Sequence, residues 1–334
     1  MMPHKVISKN LLLENGQECV VKYFGDKNPD KIFFVIRQEG MGRGLFSLLS
    51  GIICYLDFAD RCGFIPVVDL DNFKTEYNEQ EYIGGTKNAF EYYFLPVTNV
   101  KLDEVYSSKC VVLSSNDYPK GYDFTIKNIY GLFKTFEKYI KIRPEIERLA
   151  KIPTSPSGDK VLGVHFRGQE MRTTAGHWFP PSNKQMFKAI DIMLQRGSFN
   201  SIFVCTEDKQ LLNILDRKYP GMVVSNNHYR TQSVNAYKIN PRKNHKYLLG
   251  REILIDMLCL AKCDALISCS SNVAWMSRFI NNNHYSATIF INNGPNSSFW
   301  PLAKVLWAIK NILPEKLGGF KLNDKTIVLT KRPS

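Results

Sequence analysis

The chain has 334 residues, 44% of them hydrophobic and 22% charged, with a formal net charge of +13. That length exceeds one small core and fits two α/β domains, and the hydrophobic content excludes a disordered chain. The positive balance favours anionic partners, yet no run of five basic residues occurs, so it signals a general anion preference and not a nucleic-acid binder.

The first apolar run, Leu11 to Leu13, is followed by Glu14 and is too short for a signal-peptide core or an anchor. No later segment approaches the ~18 apolar residues of a membrane span. No integral membrane segment is expected, although the charge is compatible with peripheral association at an anionic membrane surface. The eight cysteines include no CxxC pair. Cys54, Cys205 and Cys269 lie inside apolar runs, where a free thiol acts as a small hydrophobe. A reducing, cytoplasmic compartment is the expectation. A single sequon at Asn296 carries no weight.

In chain order, residues 31–36 are a strand leading into the Gly-rich turn Gly40-Met41-Gly42-Arg43-Gly44. An apolar helix over 45–62 follows, with Gly63 as its C-cap, and then a strand over 65–70. Residues 72–127 have weak periodicity beyond a strand at 111–113, and 128–150 is predicted as one helix. Residues 153–158 (PTSPSG) form a linker. After it, strands at 161–166, 201–205, 222–225, 265–269 and 287–291 alternate with helices at 182–196, 209–218, 248–263 and 272–282. Such alternation predicts a parallel, doubly wound sheet. The polar, basic stretch 226–247 is a long loop of the kind kept for binding. The expected organisation is an N-terminal α/β domain over 1–155, a nucleotide-binding Rossmann-like domain over 156–300, and a C-terminal helix and tail over 301–334. Two such domains facing across a cleft are a common nucleotide-sugar architecture.

The chemistry-bearing residues fall at strand ends, where open α/β sheets bind ligands. Arg167, just past a buried strand, is placed to grip a diphosphate bidentately; the alternative is a surface pair with Glu170. His165 lies within that strand and taken alone is a hydrogen-bonded core histidine. Thr206, Glu207 and Asp208 follow the next strand and either contact ligand hydroxyls or, for Asp208, cap a helix. Asp256 is a carboxylate in an otherwise apolar helix. It suits the paired N–H donors of guanine, or else serves as a buried partner for Arg251 or Lys262. Ser270, Ser271 and Asn272 open a helix whose N-terminus can receive an anion. The turn containing Gly42 does not spell GxGxxG, which disfavours a dinucleotide fold. Asp69-Leu70-Asp71 is explained by a strand-end turn, and no cluster has metal-ligand spacing.

Together these segments resemble the α1,6-fucosyltransferase family, whose neighbours are the α1,2- and protein O-fucosyltransferases. The matching blocks are GMGRGLFSLLSGIICYLDFADRCGFIPVVDLDN, GVHFRGQE, FVCTEDKQLLNILDRKYPG and REILIDMLCLAKCDALISCSSNVAWMSRF. The resemblance implies a GT-B fold, GDP-fucose as donor, a glycan acceptor, no metal or cofactor, and inversion at the anomeric carbon. By the same analogy Arg167 holds the donor β-phosphate, His165 supports the site and Asp256 reads guanine. Ser271 and Asn272 match a phosphate-contacting pair, Glu207 and Asp208 an acidic pair beside the donor, and Gly42 joins the donor-binding set. Where relatives carry a second Arg, an acidic residue and Lys, this chain reads Gly168, Gln169, Glu170 and Met171; Arg172 is the nearby positive charge. The candidates for the acceptor base are Glu170 and His177. The alternatives are a transferase using another nucleotide sugar, or a non-catalytic nucleotide- or carbohydrate-binding module.

Overall fold

The computed structural model of the protein describes residues 10–12, 18–117, 130–153, 159–167, 169–230, 236–282 and 284–331. Contacts divide the chain into unit 1, Met1–Glu147 with Asn240–Arg251, and unit 2, Arg148–Ile239 with Glu252–Ser334.

In unit 1, β1 (Asn10–Leu12) and β2 (Glu18–Lys22) precede the first strand read from the sequence, β3 (Lys27–Ile36). Successive β3 side chains alternate between faces. Phe33 and Val35 join one buried cluster with Val67, Val105 and Val111, while Phe34 meets Tyr55, Phe58 and Phe64. Tyr55 and Phe58 belong to α1 (Leu45–Arg61), which leads into β4 (Ile65–Val68). A single-turn helix, α2 (Leu102–Val105), then introduces β5 (Ser108–Leu113). The sheet order is β1-β2-β5-β3-β4. Only β5, β3 and β4 run parallel; β2 is antiparallel to β5, and β1 to β2. This sheet is therefore mixed, and its Rossmann-like part is confined to three strands.

The single helix expected over 128–150 is broken; residues 128 and 129 lie outside the described set. Helix α3 (Phe133–Tyr139) ends at Ile140 in extended backbone, and α4 (Pro144–Glu147) restarts four residues later. Pro144 has no N–H to give a continuing helix, and it disfavours helical backbone at Arg143. The freed segment pairs with the aromatic stretch instead: Leu95 N donates to Lys141 O (2.8 Å) and Arg143 N to Tyr93 O (3.0 Å). Phe90, Tyr92, Tyr93 and Phe94 of that stretch are buried core, and Tyr82 is exposed. The strand predicted over 65–70 stops at Val68 because Asp69 closes a turn. Asp69 Oδ1 accepts from Asp71 N and Asn72 N, and its Oδ2 from Asn72 Nδ2 and the Tyr106 hydroxyl. The DxD triplet is thus consumed by the turn.

In unit 2 the predicted alternation is present: β6 (Val161–His165), α5 (Asn183–Arg196), β7 (Ser201–Cys205), α6 (Lys209–Lys218), β8 (Val223–Val224), α7 (His245–Ala261), β9 (Ala265–Cys269), α8 (Asn272–Asn281) and β10 (Ala287–Ile291). After α9 (Trp300–Ile312) the chain returns as β11 (Ile327–Lys331), antiparallel to β10, so the last segment is part of the sheet and not a free tail. The order is β11-β10-β9-β6-β7-β8, with β6 to β10 all parallel. Leu162, Val164, Ile202, Val204 and Ile267 cluster with Met186, Ile190 and Met193 of α5 and Leu211 and Leu215 of α6. On the opposite face of β6, a Cβ on Gly163 would lie 3.1 Å from Cys263, so the chain after α7 crosses close to β6. The first turns of α7, counted with unit 1, depend on a similar closeness. A Cβ on Gly250 would fall 2.2 Å from the Tyr93 hydroxyl, a position only glycine can occupy there.

Candidate functional site

In unit 2, the connections from β6 run outward to β7 and β8, whereas the chain re-enters on the other side of β6 as β9 and β10. The sense of winding reverses between β6 and β9, and the loops leaving their carboxyl ends diverge. That divergence is where a doubly wound sheet takes its ligand. Phe166-Arg167 leaves β6 at this point and Ser270-Ser271 leaves β9.

Arg167 is half-buried, and three neighbours register its charge. Burial, with the Arg167 charge as the second cause, holds the His165 ring down at about 3. The Cys269 thiol at the end of β9 is pushed up to about 11 by burial, against the opposing charge and backbone N–H of Arg167. His177 is solvent-exposed, yet partial burial and the Arg167 charge keep it below the ordinary histidine value. Among the described residues, His165 Nδ1 is buried without a hydrogen-bond partner, which is costly unless a ligand supplies one.

Ser271 is the N-cap of α8, its hydroxyl accepting from Val273 N (3.2 Å). Ser271 is buried, Ser270 half-buried and Asn272 exposed. The capping role weighed from sequence is therefore real. It leaves the positive end of the α8 dipole at the mouth of the crevice, on the side of β9 that adjoins Arg167.

The chain after β6 is tied back to the segment after β10. Gly176 N donates to Ser297 O (3.0 Å), Asn296 N to His177 O (2.7 Å) and Phe179 N to Gly294 O (3.0 Å). Asn296 itself is buried, with Nδ2 donating to Thr174 O (3.3 Å) and Ala303 O (3.0 Å). The sequon asparagine is therefore a clamp that sets the backbone of His177. Glu170 lies in the 3-10 turn Gln169–Arg172; its side chain, and Gly168, lie outside the described residues. Arg172 lies 4.2 Å over the Trp307 ring, with Nη2 4.0 Å from Asp208 Oδ2. Asp208 caps α6 through Gln210 N (2.9 Å) and Leu211 N (3.1 Å), so the capping alternative holds for it. Glu207 is exposed beside it.

Asp256 is buried, but neither partner foreseen from the sequence holds it. Lys262 Nζ donates to Ala150 O (2.6 Å), and Arg251 lies over the Tyr247 ring. The carboxylate instead meets the loop after β8. Asn226 Nδ2 donates to Asp256 Oδ1 (2.7 Å), and His228 Nδ1 lies 3.0 Å from the same oxygen. Arg230 curls this loop by donating to Asn226 O (2.8 Å) and His228 O (3.2 Å). The sequence marked this stretch as a binding loop without singling out Asn226, His228 or Arg230. The signal available was the rule that a buried carboxylate needs polar donors. Gly42 belongs to unit 1, at φ 84°, and its N–H donates to Glu76 Oε1 (2.8 Å). The other donor-site candidates all belong to unit 2.

Two α/β sheets, the first mixed and the second almost wholly parallel with a switch point between β6 and β9, have the architecture of the GT-B class of fold. No family model and no curated protein matches the sequence. Among solved structures, the fucosyltransferase NodZ from Bradyrhizobium is similar over 79% of this chain and 97% of its own, at 18% identity and a TM-score of 0.52. NodZ α1,6-fucosyltransferase co-crystallised with GDP is similar over 79% and 96%, at 19% identity and a TM-score of 0.52. POFUT1 in complex with GDP aligns over 77% of this chain and 96% of its own, at 11% identity and a TM-score of 0.44. The chain has the GT-B fold of the NodZ fucosyltransferase, the fold implied by the four sequence blocks.

The buried His165 gives a stability signature. Its folded value near 3 lies below the ordinary 6.5, so the unfolded chain binds the extra proton between these values. Stability is full above pH 6.5 and falls as the pH drops toward 3. Relative to His165→Gln, the native protein should lose about 2 kcal/mol more between pH 7 and pH 5. Denaturant titrations at the two pH values check this; parallel losses would show that His165 titrates normally in the folded state.

Proposed function

We propose that the protein is an inverting glycosyltransferase that moves fucose from GDP-fucose to a glycan hydroxyl. The observation that carries this reading is the placement of Arg167 at the β6/β9 switch point, beside the N-terminus of α8 and next to a buried histidine lacking a partner. A guanidinium and a helix N-terminus converging on one crevice suit a diphosphate, and both interactions strengthen as charge builds on a departing one. The fold shared with NodZ supports the same reading.

In the proposed reaction the acceptor oxygen attacks the anomeric carbon from the face opposite the diphosphate. The new C–O bond forms as the bond to the β-phosphate oxygen breaks, and its electron pair stays on GDP, stabilised by Arg167. The acceptor proton passes to His177 or Glu170. His177 is held below 6.5, so it is neutral at pH 7 and able to accept a proton. Asp256, already held by the Asn226 hydrogen bond, receives the guanine N–H donors, and its restricted position favours one base over others.

Calorimetric titration with GDP, UDP, ADP and CMP tests the donor assignment. GDP should bind at least about tenfold more tightly than the rest, and Asp256→Ala should abolish that preference. A preference for UDP, or one for GDP untouched by Asp256→Ala, would overturn it; GDP binding without transfer across a glycan acceptor panel would leave a binding module. If His177 is the base, His177→Ala should lower kcat by about 10²- to 10⁴-fold while GDP affinity stays within twofold of the native value. Unchanged kcat would move the role to Glu170.

A further inference from the structure

Helix α9 carries apolar residues on two sides, and only one side is covered. On the inner side Ala303 is buried, and Trp307 Nε1 donates to Pro180 O (2.9 Å) with its ring 6.0 Å from that of Phe320. The outer side bears Leu302, Val305, Ile309 and Ile312 at three- and four-residue intervals; Trp300, exposed at the helix start, is on another side, one turn before Lys304. The exposures along the outer side are high: 43% for Leu302, 47% for Val305, 44% for Ile309 and 81% for Ile312. A helix that is apolar all round is normally buried, and a contiguous apolar patch on a folded surface marks an interaction site.

The charge around this face selects the occupant. From residue 265 to residue 314 the chain contains no Asp or Glu, and from residue 300 onward it carries seven Lys and Arg against two acidic residues. Lys304 Nζ sits 3.5 Å above the exposed Trp300 ring, and Lys316 follows just beyond the helix. A second copy docked by two-fold symmetry would face this basic rim with the same basic rim, a like-charge arrangement. An anionic lipid surface meets both features, the apolar stripe and its lysine border. With 13 residues, α9 is about 20 Å long and too short to span a bilayer. No helix among the described residues is long and apolar enough to do so.

We propose that α9 docks the protein in the plane of an anionic membrane, with Leu302, Val305, Ile309 and Ile312 at the acyl boundary and Lys304 and Lys316 among the headgroups. The inference is independent of the donor assignment. Co-sedimentation with phosphatidylcholine vesicles, with and without about one-third phosphatidylserine, tests it. The full chain should pellet with the serine-containing vesicles, only weakly with pure phosphatidylcholine, and less at high salt. The combined variant Val305→Ser, Ile309→Ser, Ile312→Ser should lower the vesicle partition coefficient by at least about tenfold at an unchanged thermal midpoint. The double variant Lys304→Glu, Lys316→Glu should also weaken binding, through charge alone. No binding to either vesicle, or equal binding by native and triple-serine proteins, would overturn the proposal. So would a concentration-dependent rise in mass that the triple variant abolishes in the absence of vesicle binding, since that would assign the face to a second copy.

Discussion

Parallel strands wound in opposite senses cannot keep their connecting loops together, and in unit 2 the loops part between β6 and β9. Everything proposed for the donor depends on that geometric necessity. The crevice exists before any side chain fills it, because α5 and α6 cover one face of the sheet and the chain re-enters on the other side of β6. The sequence then places an arginine at one lip and a serine-capped helix start at the other. Neither lip alone would specify a diphosphate; a capped helix is common and a half-buried arginine is often structural. Their convergence at a switch point is what gives them chemistry.

The electrostatics of the crevice follow from Arg167 in an environment of restricted solvent. His165 and His177 are both held below the ordinary histidine value, with burial the larger cause and the guanidinium the second. Two neutral imidazoles beside one fixed cation leave the site with a single dominant positive charge, supplemented by Arg172 near Asp208. Asp256, at the loop following β8, is kept in place by hydrogen bonding to Asn226. In the proposed reading, anion binding and base recognition fall to different strand ends.

The architecture of unit 2 was legible because buried parallel strands are short apolar runs punctuated by helices, and these runs are distinct at 161–166, 201–205 and 265–269. Unit 1 was less legible. Its helix over 128–150 satisfies periodicity until Pro144 interrupts it, and the hairpin strands β1 and β2 carry too few residues to announce themselves. Strand-end position singled out Arg167 and Ser271 in the sequence, and in the structure they follow the neighbouring strands β6 and β9. The partners of Asp256 were hidden because Asn226 is thirty residues away in sequence and reaches the carboxylate only through the fold. The same limit applies to Asn296, which looks like a surface sequon in sequence and is a buried clamp in the structure.

The claim that Arg167 engages the terminal phosphate of a guanine nucleotide is tested most directly by titrating GMP and GDP against the native protein and Arg167→Ala. If the account is right, GDP binds the native protein more tightly than GMP. The substitution then weakens GDP by at least about tenfold while leaving GMP nearly unchanged, so that the two ligands become alike. Equal losses for both nucleotides, or an undiminished advantage for GDP, would contradict it and remove the diphosphate from the β6/β9 crevice.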